Sequence, residues 1–487
     1  MVFSDLFFLF AFLPAFALCY MLGAFIDSKL LTAKSQRPQT SCQTAKNLAL
    51  VVFSLIFYAW GEPLYVLLML FSVLLNYLAG RAIDRMQGRQ RRWALAVGLT
   101  ANLLILCTFK YLGFFIQTLG SLGISLTAPA IALPIGISFY TFQSISYLVD
   151  VYRRESPVQR RFMGVLLYIS MFPQLIAGPI VRYGTVAHEI TLRHVSANDF
   201  AEGAYKFLRG LGKKVIVANQ LSEISSLFLV DELSSLTTTG AWVGIVAFTL
   251  QIYFDFSGYS DMAIGLGRCL GFHFNENFRH PYCCQTITDF WRRWHISLGS
   301  FFRDYVYIPM GGNRRHQAVN ILVVWFLTGL WHGASWNYIL WGLYFGLIVM
   351  LEKYTVLRWA SRVPQMLLHV YALLLVVVGW GIFYFEDFEQ MLMFFRSFLA
   401  LGNTSFHDFL TVSAITDYFW LWVVAVSLSM PLRTEFSTLM ARLLPMDRST
   451  QSALVVTARA MLSLAILVLS VALLVGATNN AFIYTRF

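Results

Sequence analysis

Apolar windows about 20 residues long recur from one end of this chain to the other, separated by short loops in which arginine and lysine collect. A hydrocarbon core about 30 Å thick needs windows of that length to cross it as a helix. Lipid cannot satisfy open backbone groups, so the pattern predicts an all-α polytopic membrane protein. Only 13% of the 487 residues are charged and 58% are hydrophobic, against about 25% charged in ordinary soluble domains. The 36 Lys and Arg exceed the 25 Asp and Glu, but the excess sits in short loops, where it reports topology and no nucleic-acid partner.

Residues 6–25 are expected to form the first span, kinked at Pro14, and a basic loop with Lys29, Lys34, Arg37 and Lys46 follows. That charge predicts a cytoplasmic loop and an outer, periplasmic N-terminus; no basic segment precedes the span, which reads as a retained anchor. The arginines 81, 85, 89, 91 and 92 mark a second inner loop, and Arg433, Arg442 and Arg448 a late one. Continuing the alternation gives about eleven or twelve spans, including residues 133–150, 215–230 and 318–332. Residues 162–181, broken by Pro173 and Gly178-Pro179, are expected to dip in and return. Residues 255–315 hold seven arginines and no lysine and predict interfacial and re-entrant helices. A single domain over residues 1–487 is expected, with residues 253–346 as its chemical core.

Within that core lie Tyr253-Phe-Asp-Phe-Ser-Gly-Tyr-Ser-Asp261, Asn277-Phe-Arg-His-Pro-Tyr282 and Asp289-Phe-Trp-Arg-Arg-Trp-His-Ile-Ser297. As one helix, residues 289–297 would pair Asp289 with Arg293 and put Trp291 and His295 on one face, an interfacial helix against the bilayer. His295 is then either a satisfied structural histidine or part of a site. His332, in Thr328-Gly-Leu-Trp-His-Gly333, sits at the end of an apolar span among small residues, and histidine alone exchanges protons near neutrality without large tuning. Asp255 and Asp261 are expected to cap helices and pair with arginines. Gly342-Leu-Tyr-Phe-Gly346 predicts close helix packing. Gly265 to Gly271 lacks dinucleotide-loop spacing, Gly333 to Asn337 is no serine elbow, and no metal-ligand spacing occurs. The six cysteines read as thiols.

These motifs, with the Met1-Val-Phe-Ser start, Phe57-Tyr-Ala-Trp60, Leu133-Pro-Ile-Gly-Ile-Ser-Phe-Tyr140, Pro173-Gln-Leu-Ile-Ala-Gly-Pro-Ile180, Tyr307-Ile-Pro-Met-Gly-Gly-Asn313 and Leu330-Trp-His-Gly333, resemble the membrane-bound O-acyltransferase family. The similarity is to its bacterial polysaccharide branch, typified by the alginate O-acetylation protein; Cys283-Cys284 departs from that pattern. The resemblance implies His332 as catalytic histidine, His295 as a second functional histidine, and a ring of helices around a thinned centre. It further implies an inner-membrane enzyme that takes an acetyl group from cytoplasmic acetyl-CoA, with no tightly bound cofactor. A periplasmic acetyltransferase partner and a polysaccharide acceptor would complete delivery, and alginate, cellulose and peptidoglycan all remain compatible acceptors. Arg292, Arg293, Arg314 and Arg315 are candidates to meet the donor's phosphates. Two other classes compete: a proton-coupled transporter, and a non-catalytic scaffold of an export complex.

Overall fold

The computed structural model describes residues 1–33, 43–124, 126–127, 129, 131–176, 178–401, 405–432 and 448–477. Among them every regular element is helical. Packing groups Met1–Phe207 with Tyr259–Asn275 in one compact unit, and Leu208–Gly258 with the residues from Glu276 in a second.

In the first unit α1 (Leu13–Ala33) follows a π turn at Phe8–Phe12, so Pro14, which has no N–H to donate, falls just after a widened turn. Then come α2 (Thr44–Gly61), α3 (Tyr65–Arg85) and α4 (Gly88–Leu106), which a π turn at Cys107–Tyr111 prolongs into α5 (Leu112–Ser121). Helices α3 and α4 are tied by a reciprocal amide pair, Asn76 and Asn102, at 2.9 and 3.0 Å. Such polar ties join helices where lipid removes the usual hydrophobic drive between them. Next, α6 (Ile137–Arg153) starts at Gly136, whose φ of +77° suits glycine and whose Cβ would meet the Leu175 carbonyl at 2.9 Å. Short helices α7 (Phe162–Ser170), α8 (Phe172–Leu175) and α9 (Tyr183–Thr191) follow. Arg193, buried, holds the unit together through Asn47, Tyr20 and the carbonyl of Leu270.

Helix α10 (Ala197–Gly212) runs through a π turn at Lys213–Ala218 into α11 (Asn219–Ser226), and α12 (Thr238–Cys269) is a single helix of 32 residues. The second unit continues with α13 (Ile287–Arg293), α14 (Ile296–Phe302), α15 (Gln317–His332), α16 (Trp336–Tyr354), α17 (Val356–Trp359) and α18 (Gln365–Tyr384). It ends with α19 (Phe388–Phe398), α20 (Phe409–Thr416), α21 (Phe419–Ser429) and α22 (Arg448–Val475).

Eight helices among the described residues are long and apolar enough to cross a membrane, nine if the α20–α21 pair, bent by 62°, is one crossing. Eleven or twelve were expected, and the difference has local causes. Helix α6 is only 17 residues and is buried almost throughout, because Ser138, Thr141, Gln143, Ser144 and Asp150 need protein around them. Residues 215–230 are divided by π turns, and α15 has 16 residues. Residues 162–181 break after Ser170, as their prolines and glycine foretold. The inner arginine Arg433 and Arg442, with Lys34 and Arg37, lie outside the described residues.

Residues 255–269 are not interfacial pieces but the second half of α12. Asp255 and Asp261 therefore cap nothing, and their partners are lysines: Lys214 lies 2.6 Å from Asp255 and Lys206 3.6 Å from Asp261. Gly258 explains why the helix continues there: its Cβ would stand 2.8 Å from the Gly210 carbonyl, so backbones meet where only glycine fits.

Candidate functional site

The run expected to be one helix over residues 289–297 is two. Helix α13 is capped at its start by Thr286, whose hydroxyl accepts from the Asp289 N–H at 3.0 Å, and its Asp289–Arg293 pair closes at 2.9 Å. At Trp294 the backbone turns extended, and His295 adopts a left-handed conformation, φ +44°, before α14 begins. For a non-glycine residue that conformation costs about 1–2 kcal/mol. The break lets the Trp294 indole enter a cluster with Phe278 (5.1 Å), Phe290 (5.5 Å) and Trp380 (4.9 Å). Aromatic pairs are worth about 0.5–1.5 kcal/mol each, so three of them outweigh the strain. Trp294 is 1% exposed, so it faces this cluster and not the bilayer.

The segment Asn277–Arg279 laces the break shut. The Asn277 carbonyl accepts from the Ile296 N–H at 3.0 Å, and the Arg293 carbonyl accepts from the Arg279 N–H at 2.9 Å. The Asn277 side-chain Oδ1 accepts from the Ser297 N–H (3.1 Å) and hydroxyl (2.9 Å), and stands 3.2 Å from His295 Nδ1. An oxygen there requires the proton on Nδ1, so His295 presents Nε2 as its acceptor nitrogen. Phe256 meets the imidazole edge-on at 4.7 Å, and burial pushes its pKa down to about 3, so the ring is neutral.

His295 lines a cavity of about 470 Å³ together with Trp291, Arg292, Arg303, Trp325 and Thr328. Of the four arginines singled out from sequence, the structure brings only Arg292 to this cavity, where it is exposed. Arg293 is engaged by Asp289, and Arg314 and Arg315 lie on an exposed turn that does not line the cavity.

His332 ends α15 and is 2% exposed. Its ring is boxed by Trp331 (4.9 Å), Trp341 (4.9 Å) and Phe383 (5.4 Å), all nearly perpendicular. Trp331 also meets His295 at 5.7 Å, so a single indole contacts both histidines. Helices α15 and α16 close on each other through glycines, as the Gly342–Gly346 motif predicted: a Cβ on Gly342 would lie 2.3 Å from the Trp325 carbonyl, and one on Gly329 2.2 Å from the Tyr338 carbonyl. Gly333, immediately after His332, would strike the Tyr338 ring at 2.2 Å, and that ring's hydroxyl donates to Glu386 at 3.1 Å.

Glu352 escaped the sequence reading. It is 0% exposed on α16 and accepts from the Ile287 N–H (2.6 Å), the Thr288 N–H (2.7 Å) and the Thr288 hydroxyl (2.6 Å). A carboxylate on the first turn of α13 satisfies donors that have no intrahelical partner and favours the positive end of the helix. The signal was there: an acid within an apolar span asks for a partner. Asn277, Arg303 and Trp331 were also missed as contributors, since nothing in their spacing ties them to His295. Cys283 and Cys284, the departure from the family pattern, are thiols; burial raises both, Cys284 to about 12, so neither offers a thiolate.

Residues 52–395 match the profile of MBOAT, the membrane-bound O-acyltransferase family. The chain is 40% identical to the probable alginate O-acetylase of Pseudomonas aeruginosa over 414 residues, covering 83% of this chain and 76% of that protein. It is 32% identical to the peptidoglycan O-acetyltransferase of Helicobacter pylori, covering 83% of this chain and 81% of that protein. The teichoic acid D-alanyltransferase of Bacillus subtilis is more distant, 26% identical over 44% of this chain and 58% of its own length. Matches of this extent, over a polytopic helical fold, decide for an O-acyltransferase over a transporter or a scaffold, and the chain belongs to the membrane-bound O-acyltransferase family.

Proposed function

We propose that this enzyme carries an acetyl group from cytoplasmic acetyl-CoA across a bacterial inner membrane for O-acetylation of an exported polysaccharide, directly or through a periplasmic acetyltransferase. The observation that supports it most is the pair of buried histidines in contact with one indole, with His295 held in a strained conformation on the wall of the cavity. The relatives named as O-acetylases of alginate and peptidoglycan, at 40% and 32% identity, support acetyl as the acyl group and a polymer as the acceptor. The short basic loops support an inner-membrane orientation with the N-terminus on the periplasmic side.

In this reading His332 takes the proton from an acceptor hydroxyl as its oxygen adds to the thioester carbonyl; when the tetrahedral intermediate collapses, the C–S bond breaks and the proton passes to the leaving thiolate. His295, neutral and fixed by Asn277, orients the donor end of the site. Trp341 packs edge-on to His332, and its buried indole N–H has no acceptor among the described residues, so it is the candidate to stabilise the oxyanion. Arg292 on the cavity wall suits the phosphates of the donor, whereas Arg303 is engaged by Asp304 at 2.6 Å.

The test is the O-acetyl content of the cell's exported polysaccharide in strains carrying wild type, His332→Ala or His295→Ala at equal membrane levels of the protein. Loss of acetylation in both variants is expected and identifies the polymer; unchanged acetylation in His332→Ala contradicts the mechanism.

A further inference from the structure

Away from the histidines, α3 and α4 form the two walls of an apolar groove of about 630 Å³. Leu75, Leu78, Ala79, Ala82 and Met86 recur on one face of α3, and Gln90, Trp93, Ala94, Val97, Gly98 and Ala101 on one face of α4. Small residues make its floor, and exposed Leu78, Trp93 and Val97 stand at its rim. From Gln90 to Ala101 the helix rises about 16 Å, which matches one leaflet of a hydrocarbon core about 30 Å thick.

One end of the groove carries charge. The turn between the helices brings five arginines to that end, and two of them are used structurally: Arg81 donates to the Tyr77 hydroxyl and the Arg160 carbonyl, and Arg91 to the carbonyls of Val151 and Tyr152. Arg85, Arg89 and Arg92 are exposed and make no ion pair or hydrogen bond among the described residues, with Asp84 the one acid beside them. Arg85 follows Ala82 by three residues and Leu78 by seven, and Arg89 precedes Trp93 by four and Val97 by eight. Arg85 and Arg89 therefore flank Met86 and Gln90, the groove residues nearest the turn, and Arg92 stands near the start of α4, so all three side chains start from that end.

We propose that this groove is a binding site for an anionic phospholipid, one acyl chain lying between α3 and α4 and the headgroup phosphate held by Arg85, Arg89 and Arg92. The length of the groove, its apolar floor, the uncompensated cations confined to one end and an aromatic residue at that boundary fit an amphiphile with one negative head. A second protein helix would use the same apolar floor but gives no reason for three unpaired guanidinium groups at one end.

Native mass spectrometry of the full-length protein, offered equal phosphatidylglycerol and phosphatidylethanolamine, tests this. Each arginine should contribute about a fivefold preference, so wild type should retain phosphatidylglycerol about a hundredfold better. Replacing all three with glutamine should bring the two lipids to near-equal retention, while lysine at all three positions keeps the preference. Ala94→Trp, which fills the groove floor, should reduce retention of both lipids. Equal retention by wild type, an unchanged preference in the glutamine variant, or a dimer that Ala94→Trp abolishes would each overturn the proposal. The transfer activity of the glutamine variant, whose arginines lie outside the candidate site, should equal wild type.

Discussion

Replacing Glu352 is expected to damage the site from a side chain that does not line the cavity. Its carboxylate accepts three hydrogen bonds of 2.6, 2.7 and 2.6 Å from the first turn of α13, with no exposure to solvent. Glu352→Ala leaves the buried Ile287 N–H without its acceptor, at about 1–3 kcal/mol, and the two part-buried Thr288 donors at about 1 kcal/mol each, so a total of about 3–5 kcal/mol is expected. Glu352→Gln keeps the shape and one carbonyl oxygen but turns an NH₂ group toward an N–H, an expected loss of about 2–3 kcal/mol. Thr288 and Trp291 on α13 line the cavity, so loosening its start moves the cavity wall. Misplacement of a reacting group by about 1 Å can lower rates about a hundredfold. Glu352→Gln should therefore lower kcat/KM for the acyl donor by about 10- to 100-fold, with a drop in apparent Tm followed by tryptophan fluorescence. Wild-type Tm and wild-type kcat/KM in both variants would refute the argument that this carboxylate holds α13.

The His295 pKa is lowered by burial from 6.5 to about 3, so between those values the unfolded chain binds more protons than the folded one. Stability is complete above pH 6.5 and is lost as pH falls, by at most about 1.4 kcal/mol per pH unit; apparent Tm at pH 7.5 and pH 5 should show a smaller difference in His295→Asn than in wild type. Gly342→Ala places a Cβ 2.3 Å from the Trp325 carbonyl and should reduce folded yield sharply, whereas Gly120→Ala, with nothing within 4 Å, should not; equal yields would contradict the packing of α15 on α16. Lys214→Met removes the ammonium 2.6 Å from the buried Asp255 carboxyl group and should destabilise by about 3–5 kcal/mol, while adding Asp255→Leu should recover most of that in a thermal melt.

Particular residues show why some of this was legible in the sequence. Long apolar windows announce helices, and the span expected over residues 6–25 appears as Phe8–Lys29. Gly342 and Gly346 announced close packing because glycine's use there depends on the helix itself and its immediate neighbour. The break at His295 was not legible, because residues 289–297 have good helical periodicity and what breaks it is Trp294 reaching Phe278 and Trp380, which are distant in the chain. The lysine partners of Asp255 and Asp261 were missed for the same reason. The two histidines stood out by chemistry; their shared contact, Trp331, is visible only in three dimensions.

The most direct test of the central claim is thiol release from acetyl-CoA by the purified protein with a hydroxyl acceptor present, comparing wild type with His332→Ala at matched apparent Tm. Proton transfer by His332 predicts a rate lower by about 10²- to 10⁴-fold in the variant. A variant that releases thiol at the wild-type rate would contradict the assignment of His332 as the base.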